Sequence, residues 1–396
     1  MVGNSRNDER RVTPNVESGR SPAGGAAAAV TRRRVVVGAA ATFAVAAMLP
    51  PRPARAGDAA PFALLSSDAA ERLKTILPAS PMAAYAIRSG KRWADRNPQP
   101  LAKVHTEGTL PHQGIYDVSL EAMRDWQAAG ELALAARLSG EAKLAEKAAA
   151  LVAAWLKTYQ PAYDPIDETN LLGLFLAVDL LPDAARAGLA EGFRAFARTL
   201  SSGYLDRMPG LKGGTANNNW QSHRVKLATL GAYASGDAGL VARAKAAFAK
   251  QLGDNLKADG SVLDFAERDA LHYVTYDLEP LLVAALAAKV HGEDWYGLKT
   301  AGKAGLKEAL RWLAPYADGT KTHEEFVHST VEFDRTRAKA GLPGFAGQWD
   351  PAGAEETFAL AARLDADFAP LAAKLTPGFT GTARPRNPWL HLALPV

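Results

Sequence analysis

No cysteine occurs among the 396 residues, which excludes disulfides, thiol nucleophiles and zinc–thiolate sites and leaves packing as the source of stability. Runs of alternating β-branched residues are nearly absent as well, which argues against sheet-based folds. The usual short catalytic signatures are missing: no H-E-x-x-H or H-x-x-E-H pair, no G-x-S-x-G elbow, and no glycine-rich phosphate loop after a strand. His323 and His328, in "HEEFVHS", do not have the spacing of one helical turn, so neither a metal nor any other cofactor is expected.

What remains is 48% hydrophobic, enough for one large or two ordinary domains with a real core. The first 56 residues differ from the rest. A polar, arginine-bearing leader runs into "TRRRVVVGAAATFAVAAML" and ends in a small-x-small site at Ala54-Arg55-Ala56. That is the pattern of a cleaved twin-arginine-type signal, and its apolar stretch is too short and alanine-rich to give stable membrane insertion. The expectation is a periplasmic or secreted protein, with residues 57–396 as a single domain.

Removing the leader reverses the charge balance. The whole chain carries +4, but residues 1–56 hold nine Lys/Arg against three Asp/Glu, +6, so the remainder carries −2. Nothing global then points to nucleic acid, and an anionic ligand must be held by a local cluster. Oligomeric state is not legible.

Self-similarity is the strongest structural signal. "LALAARLSGEAKLAEKAAALVAAWL" turns at Gly140, "LATLGAYASGDAGLVARAKAAFAKQL" at Gly236 and "LLVAALAAKVHGEDWYGLKTAGKAGLKEAL" at Gly292. Each combines a helix-period apolar stripe, a glycine suited to a left-handed helix end, an acidic residue to start the next helix, and a second amphipathic helix. "FALAARLDADFAPLAAKL" is a weaker fourth copy, and further helices are predicted over 67–77, 168–181 and 184–200. Irregular spacing and long polar linkers favour an all-α chain closed as an α/α toroid, an incomplete barrel of antiparallel helical hairpins, over an open repeat scaffold.

Two segments carry the candidate chemistry. In "TANNNWQSHR", one of Asn217 and Asn218 serves as helix cap, which does not explain three asparagines. If the helix begins there, Asn219 and His223 lie one turn apart, with Trp220 and Arg224 on the neighbouring face and Gln221 beside them. The second segment is "DFAERDALHYVTYDLEPLL", Asp264 to Leu282. Plotted as one continuous helix, it places Leu271, Val274, Leu278, Leu281 and Leu282 on one side and Asp269, His272, Tyr273 and Tyr276 on the other, with Arg268 bordering them. A solvated stripe would carry lysine and glutamate instead.

Asparagine, histidine, arginine and tyrosine together suit β-elimination on a uronic-acid polymer. The C5 proton is too weakly acidic to be removed unless the adjacent carboxylate is neutralised, which amide and guanidinium donors can do. A histidine or tyrosine then accepts that proton and a tyrosine returns one to the leaving O4. An arginine beside the tyrosine favours phenolate and lowers its pKa. Trp220 can stack on a sugar face.

The asparagine-rich helix start followed some fifty residues later by "ALHY" resembles the alginate lyase family of polysaccharide lyases. The resemblance implies that Asn218 or Asn219 neutralises the carboxylate, with Arg268 in the arginine role and Tyr273 in the tyrosine role. The sequence departs from the family pattern in the position of its histidine, so the base stays open among His223, His272 and Tyr273. Further substrate contacts are expected from Gln221, Arg224, Tyr276, His105 in "KVHTEGTLPHQGIYD", and Arg335, with Arg337 and Trp349, in "EFDRTRAKAGLPGFAGQWD". Two rivals stand: a glycoside hydrolase using Asp167 or Glu168 with Asp264 or Glu267, and a non-catalytic glycan-binding helical module.

Overall fold

The structure is a computed structural model in which residues 62–78, 80–302, 304–376 and 386–394 are described. These all fall within one compact unit. The expected signal, residues 1–56, lies outside the described residues.

Helices account for the architecture. After α1 (Ser67–Arg72) and α2 (Pro81–Lys91), α3 (Tyr116–Ser139) turns into α4 (Ala142–Thr158) at Gly140, which has φ +74°. The short α5 (Pro165–Glu168) leads through a 3-10 turn into α6 (Leu172–Leu180), and α7 (Asp183–Ala187) precedes α8 (Ala190–Arg207). Helix α9 (Asn219–Ser235) turns into α10 (Ala238–Asn255) at Gly236, with φ +70°. Glycine fits both turns because a Cβ is disfavoured at positive φ. Next come α11 (Leu263–Arg268), α12 (Leu271–Val290), α13 (Leu306–Ala317), α14 (Glu332–Lys339), α15 (Glu355–Leu364), α16 (Ala369–Leu375) and α17 (Pro388–Ala393).

The helices form two layers. Helices α6, α9, α12 and α15 are buried along nearly their whole length, whereas α4, α8, α10 and α13 bury one stripe and expose the other. An enclosed helix is apolar all round, as α6 is, and a covering helix is amphipathic, whereas α9 is enclosed while carrying the buried polar residues Asn219, Gln221, His223, Arg224 and Lys226. Packing runs α3–α6, α6–α9, α9–α12 and α12–α15, each inner helix being backed by an outer one, and α17 lies against α2 and α15. The described fold is thus an all-α, incomplete α/α toroid, and no strand occurs among the described residues.

Close approach of α3 and α6 depends on missing side chains. A Cβ on Gly173 would lie 2.3 Å from the Trp126 carbonyl oxygen, and one on Gly130 would lie 3.2 Å from that of Gly173. Around this crossing Trp126 packs edge to face on Trp155 and Tyr159, with Trp126 and Trp155 centroids 4.9 Å apart. The first described residues are tied down by Asp179 of α6, whose carboxylate accepts the backbone N–H groups of Ala63, Leu64 and Leu65 at 2.7–2.9 Å.

Two sequence expectations are corrected here. Gly292 does end α12 in a left-handed turn, but the next helix starts at Leu306 rather than beside it. Trp295 is fully buried, so the intervening turns hold a core aromatic instead of a helix start. The stretch Asp264 to Leu282 is two helices, α11 and α12, broken at Asp269, whose φ is +50°. Aspartate tolerates that conformation better than most residues, so neither glycine nor proline marks the break.

Candidate active site

The two chemical segments meet. Asn218 caps α9, its Oδ1 accepting from Trp220 N at 3.2 Å, and its amide nitrogen has no partner among the described residues. Trp220, half-buried, packs on a cluster formed by Ile166, Ala270, Tyr273, Tyr276 and Phe345. The His223 ring lies 4.3 Å from that of Tyr276, and His272 lies 5.3 Å from Tyr273 and 6.5 Å from Tyr276. The start of α9 and the start of α12 therefore line one site.

Tyr273 is its centre. The side chain is fully buried, and its hydroxyl oxygen accepts from Arg337 Nη1 at 3.1 Å. Arg268 covers the ring face, its Cζ 4.1 Å from the centroid. Arg268 Nη1 donates to Asp334 Oδ1 at 2.5 Å, and Ser329 Oγ donates to Asp334 Oδ2 at 2.7 Å. Arg337 stands 3.9 Å from the same carboxylate and leaves its buried Nη2 without a hydrogen bond among the described residues. Asp264, 3.5 Å from Arg268 Nε, has its carboxyl pushed up by burial and by the neighbouring Asp277, so it offers less than a full counter-charge at neutral pH. Two guanidinium groups thus share Asp334, with only the partly neutralised Asp264 beside them, and the excess is positive.

The phenol pKa moves opposite to the sequence expectation. Burial raises it, and the lowering by Arg268 and Arg337 does not offset that. Taking a hydroxyl out of water disfavours phenolate more than two nearby cations, themselves shared with Asp334, favour it. Tyr273 is a protonated phenol at neutral pH. Its oxygen already accepts from Arg337, so its own hydrogen is the group it can give.

Asn219, expected to meet a substrate carboxylate, meets one of the protein's. Its backbone N–H and side-chain amide donate to Asp264 at 2.7 and 2.6 Å, and no part of it is exposed. This bidentate grip locks the first turn of α9 onto α11. Below it, Ser222 and Asn255 donate to Asp277 at 2.6 and 2.5 Å, and Gln251 donates to Ser222 Oγ at 3.0 Å.

Gln221 and Arg224 are buried partners, with Arg224 Nη1 donating to Gln221 Oε1 at 3.2 Å and to the Thr215 carbonyl at 2.5 Å. No carboxylate pairs with Arg224 among the described residues, and burial lowers its pKa to about 10. His223 is buried too, its Nδ1 being 2.7 Å from Thr169 Oγ1. Burial, then the charge of Lys226, hold its pKa well below 6.5, against a backbone hydrogen bond on the Tyr276 side.

His105 is half-buried at the edge, its Nδ1 2.9 Å from Asp167 Oδ2. Asp167 sits on α5, which packs against α9. The remaining oxygen of Asp167 accepts from Thr106 N, Thr106 Oγ1 and Glu107 N at 2.7–2.9 Å. Arg335 is placed elsewhere: it is exposed, pairs with Glu332 and donates to the Ser329 carbonyl. The α14 residue that enters the site is Arg337. Two residues apart on a helix means nearly opposite faces, and the signal that picks the inner one is Phe333, one turn before Arg337, whose ring lies 4.3 Å from its guanidinium.

Residues 74–323 match the family model described as alginate lyase. Among solved structures, the chain is similar to an alginate lyase from Bacteroides ovatus, with a TM-score of 0.60 and 16% identity over 84% of this chain and 98% of that one. It is also similar to alginate lyase A1-III from Sphingomonas species A1, with a TM-score of 0.44 and 19% identity over 63% of this chain and 81% of that one. No curated protein matches.

Proposed function

The chain belongs to the alginate lyase family and is a polysaccharide lyase, and from that premise we propose that it cleaves alginate or a related polyuronate by β-elimination at the Tyr273 site. The observation that carries this reading is the state of Tyr273: a buried, protonated phenol that accepts from Arg337 and holds an uncommitted hydrogen.

Elimination needs three things. The uronate carboxylate must lose its charge as the enolate-like state develops, and the excess positive charge around Arg268 and Arg337 supplies that, with Arg337 Nη2 and the Asn218 amide as donors. The C5 proton goes to one of the two imidazoles that flank Tyr276, His223 or His272. Tyr273 then protonates the leaving O4. Trp220 and Arg224, whose Cζ is 5.6 Å from the Trp220 ring centroid, form the wall for a neighbouring sugar. Phe326, Phe345 and Leu342 cover the phenol, so the segment carrying them must shift for a polymer to reach it.

The hydrolase reading needs two free carboxylates, and three of its four candidates are engaged, which leaves Glu267 without a second. Glu168 accepts from Tyr159, Tyr204 and the Ala162 N–H, Asp167 is held as above, and Asp264 is occupied by Asn219. Incubation with alginate and other polyuronates tests the proposal directly. A lyase yields the ultraviolet absorbance of a C4–C5 double bond, a hydrolase yields reducing ends without it, and a binding module yields neither. Export through the leader is part of the same proposal, and a mature N-terminus at Gly57 is its check.

A further inference from the structure

Beneath the site, Lys226 is a buried cation on α9 whose Nζ donates to Thr169 Oγ1 at 2.6 Å and to the Thr169 carbonyl at 3.0 Å. An ammonium has donors only, so the Thr169 hydroxyl accepts from it. The single hydrogen of that hydroxyl has one acceptor in reach among the described residues, His223 Nδ1 at 2.7 Å. Were Nδ1 instead protonated, it would donate to a hydroxyl that already accepts from Lys226, and the hydroxyl hydrogen would be buried with no acceptor on either side. Nδ1 is therefore the acceptor and Nε2 carries the proton.

The far side of the ring agrees. Pro280 lies inside α12 and has no N–H, so the carbonyl four residues earlier, that of Tyr276, loses its helical partner. A backbone group of Tyr276 favours the protonated form of His223, which only an acceptor can do. The Tyr276 ring is 4.3 Å away. Nε2 makes no full hydrogen bond among the described residues, so this contact is a long one.

We propose that Lys226, Thr169 and the carbonyl left open by Pro280 hold His223 as the neutral Nε2–H tautomer, making it a positioning residue that ties α9 to α12. A ring that presents N–H on one side and accepts on the other has no lone pair left for a substrate proton. His272 is then the imidazole that accepts from C5. His272 takes that role only if the protein is an eliminase, whereas the His223 tautomer holds either way, so the two fail separately.

Nitrogen-15 NMR of histidine-labelled protein without substrate, at about pH 7, reads the tautomer. The His223 resonances, assigned by their loss in His223→Gln, should show Nε2–H. Thr169→Val should mix the tautomers and Thr169→Ser should restore the pattern. In turnover, His223→Gln keeps an acceptor and a donor and should lose about tenfold, and His272→Gln about 10²- to 10⁴-fold. An Nδ1–H signature in the unaltered protein, or a tautomer indifferent to Thr169→Val, overturns the lock. A His223→Gln loss equal to or larger than that of His272→Gln overturns the assignment of the proton to His272.

Discussion

Replacing Tyr273 by phenylalanine removes one oxygen and leaves the ring, its cover by Arg268 and its packing against Phe326 intact. Two consequences can be separated. The first is catalytic: with the phenolic hydrogen assigned to the leaving O4 gone, leaving-group protonation is lost, and turnover should fall by about 10²- to 10⁴-fold. The second is structural: Arg337 loses the hydrogen bond at 3.1 Å and keeps only Asp334 at 3.9 Å. A buried donor left short of a partner costs about 1–3 kcal/mol, a loss that should lower the melting temperature by a few degrees and leave the protein folded. The assay is ultraviolet product formation on a polyuronate, run beside a thermal melt and calorimetric titration with the polymer. Polymer affinity should change little, because the phenol acts on the leaving oxygen and not on the carboxylate. Turnover within about threefold of the unaltered protein, with the melt displaced as calculated, would refute the role of Tyr273 while leaving the geometry correct.

The remaining predictions concern charge and packing. Arg337→Met should lower kcat/KM by about 10²- to 10³-fold, whereas Arg335→Met, which breaks an exposed pair with Glu332 and a hydrogen bond to the Ser329 carbonyl, should change it little; equal effects in the same ultraviolet assay would contradict the inward placement of Arg337. Gly173→Ala should destabilise by about 1–3 kcal/mol or more, because the added Cβ would stand 2.3 Å from the Trp126 carbonyl oxygen; an unchanged melting temperature would show that α3 and α6 can part without loss. Burial lowers the Lys226 pKa from 10.5 to about 8, so this group adds stability only as pH rises from about 8 towards 10.5. Denaturation of Lys226→Met should lack that part of the pH dependence, about 3 kcal/mol at 1.36 kcal/mol per unit, and parallel curves for the two proteins would sink the idea.

The legible parts of the fold were those written in local chemistry. Gly140 and Gly236 sit where a left-handed helix end needs them, and the apolar periodicity on either side named the hairpins. The break at Asp269 was invisible because aspartate reaches positive φ without the signal that glycine gives. The candidate site was legible as two clusters but not as a set of roles. Asn219 and Asn218 look alike in sequence, yet one is held by Asp264, 45 residues away, and the other is not. Only the tertiary partner tells them apart. The same holds for the phenol of Tyr273, whose arginine neighbours were foreseen in kind and whose burial, the larger influence on its pKa, was not.

Lys226 brings these strands together. Its charge is buried, its two hydrogen bonds go to one threonine, and its depressed pKa means that the folded state holds the ammonium less favourably than the neutral amine. A core built for stability alone would place methionine there. The surroundings show what the charge does instead. Glu279 and Glu356, both half-buried, favour the ammonium, and it in turn sets the direction of every hydrogen in the path through Thr169 to His223. Reversing any one donor in that path leaves a buried hydrogen without an acceptor. A neutral residue at position 226 could fill the space but could not impose the direction, so the stability lost to this lysine is the physical counterpart of a fixed imidazole beside the Tyr276 end of the site.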